Sequence, residues 1–189
     1  MRTFIAIDIS PEIRSAIGRI QSHLKYAGAD VKWVAPENIH LTMKFLGEID
    51  ETMLGRVEAS LEHIARSTRQ FEFSVEGVGV FPKIDFPRVI WIGLGRGSDQ
   101  LTCLAALLDD EMLKLGFEKD PRQFEPHLTI GRVRSEHNKE KLMEKMTSVP
   151  LEVLLEAGSC RANSLTLFKS TLTPEGPIYS VLHEANFSR

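Results

Sequence analysis

Two stretches of this chain share a residue pattern that could do chemistry: His40-Leu41-Thr42-Met43 and His127-Leu128-Thr129-Ile130. Side chains along a strand alternate in direction, so in each stretch the imidazole and the hydroxyl share one face. The other face carries Leu41 and Met43, or Leu128 and Ile130, which can anchor the strand in a core. With ten Thr in 189 residues, two His each followed by Thr two positions on would arise by chance in roughly one sequence in twenty-five, and Leu between them both times is rarer again by roughly eighty-fold. An imidazole titrates near ~6.5, so one can be neutral and take a proton while another is charged and gives one. That pairing suits in-line displacement at phosphorus, where a base activates water and an acid protonates the leaving oxygen. Each positioned proton transfer is worth typically ~10² to 10⁴ in rate. The Thr hydroxyls can hold the non-bridging oxygens as charge builds on them. A strained cyclic phosphate would need no nucleophile stronger than water.

The elements that must position these groups are legible from periodicity. Ser10-Pro11-Glu12 supplies an N-cap, a first-turn proline and an acid at the positive helix end, followed by the stripe Ile13, Ile17, Ile20 and Leu24. Asp50 caps a second helix carrying Leu54, Val57, Leu61 and Ile64. Ser98 is expected to cap a third with Leu101, Leu104, Leu108, Met112 and Leu115, stopped by Gly116, and a fourth carries Leu142 and Met146 before Pro150. Strand-like runs cover 4–9, 39–46, 71–80, 89–94, 128–133, 151–156, 165–169 and 179–184. Many alternate polar with apolar residues, which favours antiparallel sheets over a fully buried parallel one. The order of elements also repeats. A strand, a helix and the His40 motif recur as a strand, a helix and the His127 motif, with the two His 87 residues apart. Two tandem halves of this kind usually pack about a pseudo-two-fold with equivalent residues facing one cleft.

The chain of 189 residues, 42% apolar and 26% charged, is expected to form a single domain, 1–189, of two similar halves with motifs at 40–43 and 127–130. With 23 Lys and Arg against 26 Asp and Glu, the net charge of −3 gives no global basic field. Any nucleic acid it takes is therefore a short piece. Cys103 reads as a buried packing residue, and neither it nor Cys160 lies in a metal-type cluster. The apolar N-terminal run is short and broken by Asp8, and no stretch reaches the ~20 apolar residues of a membrane span. A cytoplasmic monomer is the expectation.

The paired motifs resemble the H-x-T-x motifs of the 2H phosphoesterase superfamily. The longer phrases His40-Leu-Thr-Met-Lys-Phe-Leu-Gly47 and Gly176-Pro-Ile-Tyr179 resemble its RNA 2′,3′-cyclic phosphodiesterase branch, also called the 2′-5′ RNA ligase family. The likeness covers essentially the whole chain. It implies an α+β, bilobal fold: two pseudo-symmetric halves of antiparallel sheet, helices on the outer faces, both motifs lining a central groove. The implied activity is metal-independent hydrolysis of RNA 2′,3′-cyclic phosphate ends to 2′-phosphomonoesters, with no cofactor. The family makes the first His, here His40, the proton donor and the second, His127, the proton acceptor. Thr42 and Thr129 would bind phosphate. The implied partner is an RNA 3′ end, for instance a tRNA-derived one. The family pattern adds Arg132 as a phosphate ligand and Phe45 as a base-stacking residue, each five positions beyond its His. Five is odd, so both depend on a bulge or a strand end to share the His face.

Two other readings stay open beside the enzyme: a non-catalytic nucleotide or RNA-end binder using the same groove, and 2′-5′ RNA ligation as a side activity. Metal-dependent hydrolysis with the two His as ligands lacks a carboxylate at metal-ligand spacing. His23, His63, His137 and His183 read as structural or solvated. Lys44 shares the parity of His40 and could reach phosphate or be a solvated strand-end lysine. Trp33 and Trp91 could stack a base but read first as core packing. Gly93-Leu-Gly95-Arg-Gly97-Ser98 follows a strand and opens a helix, but Ser98 stands where a dinucleotide fingerprint needs its last glycine, so a strand-to-helix turn explains it.

Overall fold

The computed structural model describes residues 1–156, 158–174 and 176–189. In chain order it runs β1 (Arg2–Ile7), α1 (Pro11–Lys25), β2 (Val31–Trp33), a 3₁₀ turn (Pro36–Asn38), β3 (Leu41–Glu48), α2 (Glu51–Ser67), β4 (Phe71–Lys83) and β5 (Phe86–Leu94). Then follow α3 (Ser98–Lys114), β6 (His127–Val133), α4 (Lys139–Thr147), α5 (Leu151–Glu156), β7 (Ser159–Ala162), β8 (Ser164–Leu172) and β9 (Pro177–Asn186). The strands form two sheets, β3-β1-β8-β9 and β2-β6-β5-β4-β7, with every strand pair antiparallel.

The matching series of elements lands in matching slots, because β1 pairs with β3 as β5 pairs with β6. After the motifs the two series part: β7, the next strand after β6, stays in the second sheet and pairs with β4. β4, which follows β3 and α2, joins the second sheet, while β8, late in the chain, joins the first. Even the short β2, which precedes His40, pairs with β6. The lobes are stitched together rather than strung end to end.

One apolar core spans both sheets, with Ile5, Ile7, Leu41 and Leu167 from the first and Ile90, Ile92, Leu128 and Ile130 from the second. Helix α1 contributes Ile13, Ile17, Ile20 and Leu24, and α2 contributes Val57, Leu61 and Ile64. Ser10 caps α1 through the Ile13 amide and Asp50 caps α2 through the Met53 amide. Among the described residues no helix is long and apolar enough to cross a membrane.

Three sequence expectations need correction. Residues 151–156 form the helix α5, not a strand. Leu and Glu dominate this run and are strong helix formers, and Arg19 of α1 docks it through Glu156 at 2.9 Å. The third helix is capped by Gly97 in the left-handed region (φ 87°), with Ser98 as its first helical residue. A side chain at Gly97 would collide with the backbone of Glu72 and Phe73, so close packing of the turn on β4 explains the glycine. Cys103 is exposed, because Leu101, Leu104, Ala105 and Leu108 take the buried face of α3. Cys160 is buried.

Candidate active site

The two motifs open two strands that pack against each other where the sheets meet, β3 and β6. His40 stands immediately before β3, and His127 is the first residue of β6. Thr42 lies opposite Ala6 of β1, and Thr129 lies opposite Trp91 of β5. In both motifs the His and Thr are half-buried while Leu41, Met43, Leu128 and Ile130 are buried. The alternation expected of a strand is therefore present in each.

A β-bulge follows each Thr. Pairing with β1 skips Met43, and pairing with β5 skips Ile130, so each motif carries its irregularity three residues past its His. A bulge shifts the alternation by one residue. Phe45 accordingly comes to the side of His40: its ring lies 6.1 Å from Phe4, whose own ring stacks on His40 at 4.7 Å. Phe45 is exposed, so one face of its ring is open to a ligand. Arg132, the matching residue of β6, is exposed and acts electrostatically on Tyr179, which packs edge-on against His40. The same shift turns Lys44 away. It is neither a phosphate ligand nor solvated, since it is buried in an ion pair with Asp109 of α3 and donates to the Glu118 carbonyl at 3.0 Å.

The first imidazole sits in an aromatic box. Phe4 stacks on it, Tyr179 meets it edge-on at 5.2 Å, and Phe168 lies 6.0 Å away. Burial among these rings disfavours the charged form and brings the His40 pKa down to about 4. A backbone hydrogen bond to Asn38 and the Asp8 carboxylate oppose the shift, and the Arg14 guanidinium adds to it. Burial also raises the Tyr179 hydroxyl pKa, so it stays a hydrogen-bond donor at neutral pH. A cavity of about 520 Å³ opens here, with Asp8, Arg14, Asn38, His40, Phe168 and Tyr179 among its lining.

The second imidazole is oriented by a carbonyl. His127 Nδ1 lies 2.7 Å from the Glu125 carbonyl oxygen. A carbonyl can only accept, so Nδ1 carries the proton and Nε2 keeps a free lone pair in the neutral ring. Phe81 braces the ring edge-on at 5.0 Å. Both imidazoles are thus tied to the backbone of the residue two positions earlier, Asn38 and Glu125. Among the described residues no group of three or more His, Cys, Asp or Glu is placed to hold a metal ion.

Sequence reasoning named Phe45, Arg132, the His and the Thr, but missed Phe4, Phe168, Phe81 and Arg14. The signal was available for Phe4, because Phe4, Ala6 and Asp8 alternate with Ile5, Ile7 and Ile9 along β1 and the two residues after it. Phe81 and Phe168 carry no local mark. The remaining histidines are structural or solvated: His23 bonds the Lys145 carbonyl, His183 pairs with Glu62, and His63 and His137 are exposed. Trp33 packs against Gly131 and the core as expected. Trp91 instead is half-buried outside the core, packed against Gly79 and Phe81, because it stands opposite Thr129 on the face of β5 that bears neither Ile90 nor Ile92.

The chain matches the family model for LigT-like phosphoesterases twice, over residues 7–91 and 94–179. It is 40% identical over 180 residues to a Methanothermobacter thermautotrophicus protein named RNA 2′,3′-cyclic phosphodiesterase, covering 95% of each chain. A Thermotoga maritima protein of the same name is 40% identical over 191 residues, covering 99% of this chain and 96% of its own. Among solved structures, a Thermus thermophilus protein superposes with a TM-score of 0.81 at 25% identity, covering 99% of this chain and 98% of its own. Escherichia coli LigT complexed with 3′-AMP shares the fold, with a TM-score of 0.76 at 24% identity over 100% and 98% of the two chains.

Proposed function

This chain belongs to the LigT-like phosphoesterase family, and from that premise we propose that it hydrolyses RNA ends bearing a 2′,3′-cyclic phosphate to 2′-phosphomonoesters. The observation that carries the reading is the placement of two H-x-T motifs in equivalent slots of abutting strands, β3 and β6. We read the chain as one domain whose two halves each lend one imidazole and one hydroxyl to a single phosphate. Relatives named RNA 2′,3′-cyclic phosphodiesterase at 40% identity over nearly the whole chain support the substrate class.

The steps follow from the groups present. With Nδ1 held by the Glu125 carbonyl, His127 Nε2 removes a proton from water. The water oxygen attacks phosphorus opposite the 3′ oxygen, and the bond from phosphorus to O3′ breaks. His40 gives its proton to O3′, leaving a 3′-hydroxyl and a 2′-phosphate. Thr42 and Thr129 donate hydrogen bonds to the non-bridging oxygens, and Arg132 offers a guanidinium fork to the same charge. Phe45 stacks the terminal base. None of these groups requires a metal ion.

The free protein holds His40 neutral near pH 7, since its pKa is about 4. A donor must be charged, so the substrate supplies what is missing: a phosphate anion beside the ring favours the imidazolium. Proton uptake at His40 is thereby coupled to substrate binding. The test is incubation with an oligonucleotide ending in a 2′,3′-cyclic phosphate, with and without a chelator, followed by product identification. The expected product carries a 2′-phosphate at an undiminished rate with chelator. Tight binding without turnover would make the protein an RNA-end binder, and a 3′-phosphate product would reverse the assigned roles.

A further inference from the structure

Helix α1 touches both motifs through one face. Arg14 Nη1 donates to the Pro36 carbonyl at 2.7 Å and to the Ile39 carbonyl at 2.8 Å, while Nη2 pairs with Asp8. These bonds grip the turn that delivers His40 and the strand end opposite it. Two turns along the same helix, the buried Gln21 donates from Nε2 to the Val34 carbonyl at 2.8 Å and the Ile130 carbonyl at 2.9 Å. Ile130 is the bulge residue of β6, and its carbonyl also accepts from the Val34 amide. Residues seven apart on a helix point the same way, about 10.5 Å apart along the axis.

We propose that Arg14 and Gln21 are positioning residues, and that α1 is the strut fixing the His40 motif and the His127 motif relative to each other. The chain between the two grips supports this. Residues 31–33 pair with β6, residues 36–38 form the 3₁₀ turn, and His40 follows, so one short segment runs from the second sheet to the first. Left to itself such a connection would let the lobes shift. Arg14 pins its far end and Gln21 its near end, each by two carbonyls. A guanidinium suits the first post because its planar fork reaches two carbonyls and a carboxylate at once, which a lysine cannot do. A primary amide suits the second because its two N–H donors meet two carbonyls in a dry setting.

In-line transfer needs both imidazoles aligned on one phosphorus, and misplacement of roughly 1 Å can cost on the order of 10²-fold in rate. The inference rests on the proposed hydrolysis, so wild-type turnover of the cyclic-phosphate oligonucleotide is established first. If the wild type does not turn over, the functional reading fails, and the positioning claim falls with it. With an active wild type, Arg14→Ala should lower kcat by roughly 10- to 100-fold while KM stays within about threefold, because the grip acts on the catalytic ring rather than the ligand. Arg14→Lys should recover only part of the loss, and millimolar guanidinium ion should restore the rate of Arg14→Ala. Gln21→Leu should likewise lower kcat, with the Arg14→Ala/Gln21→Leu double variant losing less than the product of the single effects. Thermal unfolding of each variant separates misplacement from misfolding, and should Arg14→Ala fail to fold, Arg14→Lys carries the test. A kcat within twofold of wild type in a folded Arg14 variant would overturn the proposal. So would a large rise in KM at unchanged kcat, which would make Arg14 a substrate ligand.

Discussion

The two motifs occupy equivalent places in the fold and lie in unlike surroundings. Each stands at the start of a strand, each carries a bulge three residues past its His, and each ring is tied to the backbone two residues earlier. Around His40 stand Phe4, Phe168 and Tyr179, with the Arg14–Asp8 pair beside them. Around His127 the ring contact is Phe81, and its bond to Glu125 is exposed to solvent. Two copies of one geometry therefore feel two dielectrics, which is the general route by which one type of side chain takes two acid–base roles. The same divergence appears five residues on, where equivalent bulges deliver an aromatic ring in one lobe and a guanidinium in the other. The duplication supplies a frame with two equal posts, and the packing around each post makes the difference.

The largest test removes a post. His40→Ala and His127→Ala should each lower kcat/KM by roughly 10² to 10⁴, and the double variant should cost far less than the product of the two, because the pair acts as a unit. Steady-state hydrolysis of a 2′,3′-cyclic phosphate substrate reads this directly. A variant at full activity would break the symmetry of the account.

The unlike surroundings should also appear in stability. His40 has a folded pKa of about 4, below its ordinary value, so the unfolded chain takes up the proton first as the pH falls. The His40 contribution should be flat above about pH 6.5 and erode down to about pH 4, by on the order of 3 kcal/mol at most. Denaturant unfolding across this window, compared with His40→Phe, isolates it: the variant should lack that share of the slope.

Smaller effects sharpen the contrast between the two bulges. Arg132→Ala should cost about 1.5–3 kcal/mol, the worth of a hydrogen bond to a charged group, and should flatten the salt dependence of KM. Phe45→Ala should cost about 1–3 kcal/mol of base stacking and weaken discrimination between purine and pyrimidine ends. Thr42→Ala and Thr129→Ala should each cost on the order of 1–3 kcal/mol, read as kcat/KM.

Much of this arrangement was legible in the chain. Polar–apolar alternation gave the antiparallel class, Ser10 and Asp50 marked two helix starts, and the repeated motif located both imidazoles. The bulges entered only as the condition for Phe45 and Arg132 to share the His face. Met43 is an ordinary apolar residue with no glycine beside it, and Gly131 next to Ile130 was the one local hint. A bulge arises from pairing with a distant strand, and it moved Phe45 toward His40 and buried Lys44 against Asp109. The exchange of β4 and β8 between sheets is likewise non-local. Strands β2 and β7, of 3 and 4 residues, are too short to show a period. Residues 151–156 alternate well enough to suggest a strand, but their helix-forming composition and docking on α1 decide otherwise.

The central claim, that burial in its aromatic box lowers the proton affinity of His40 until substrate arrives, is tested most directly by following the His40 ring nitrogens through a pH titration by NMR, with and without bound phosphate. In the free protein His40 should titrate near pH 4, and phosphate in the groove should raise that midpoint toward neutrality. A His40 that titrates near 6.5 in the free protein, or whose midpoint does not move when phosphate binds, would contradict the account.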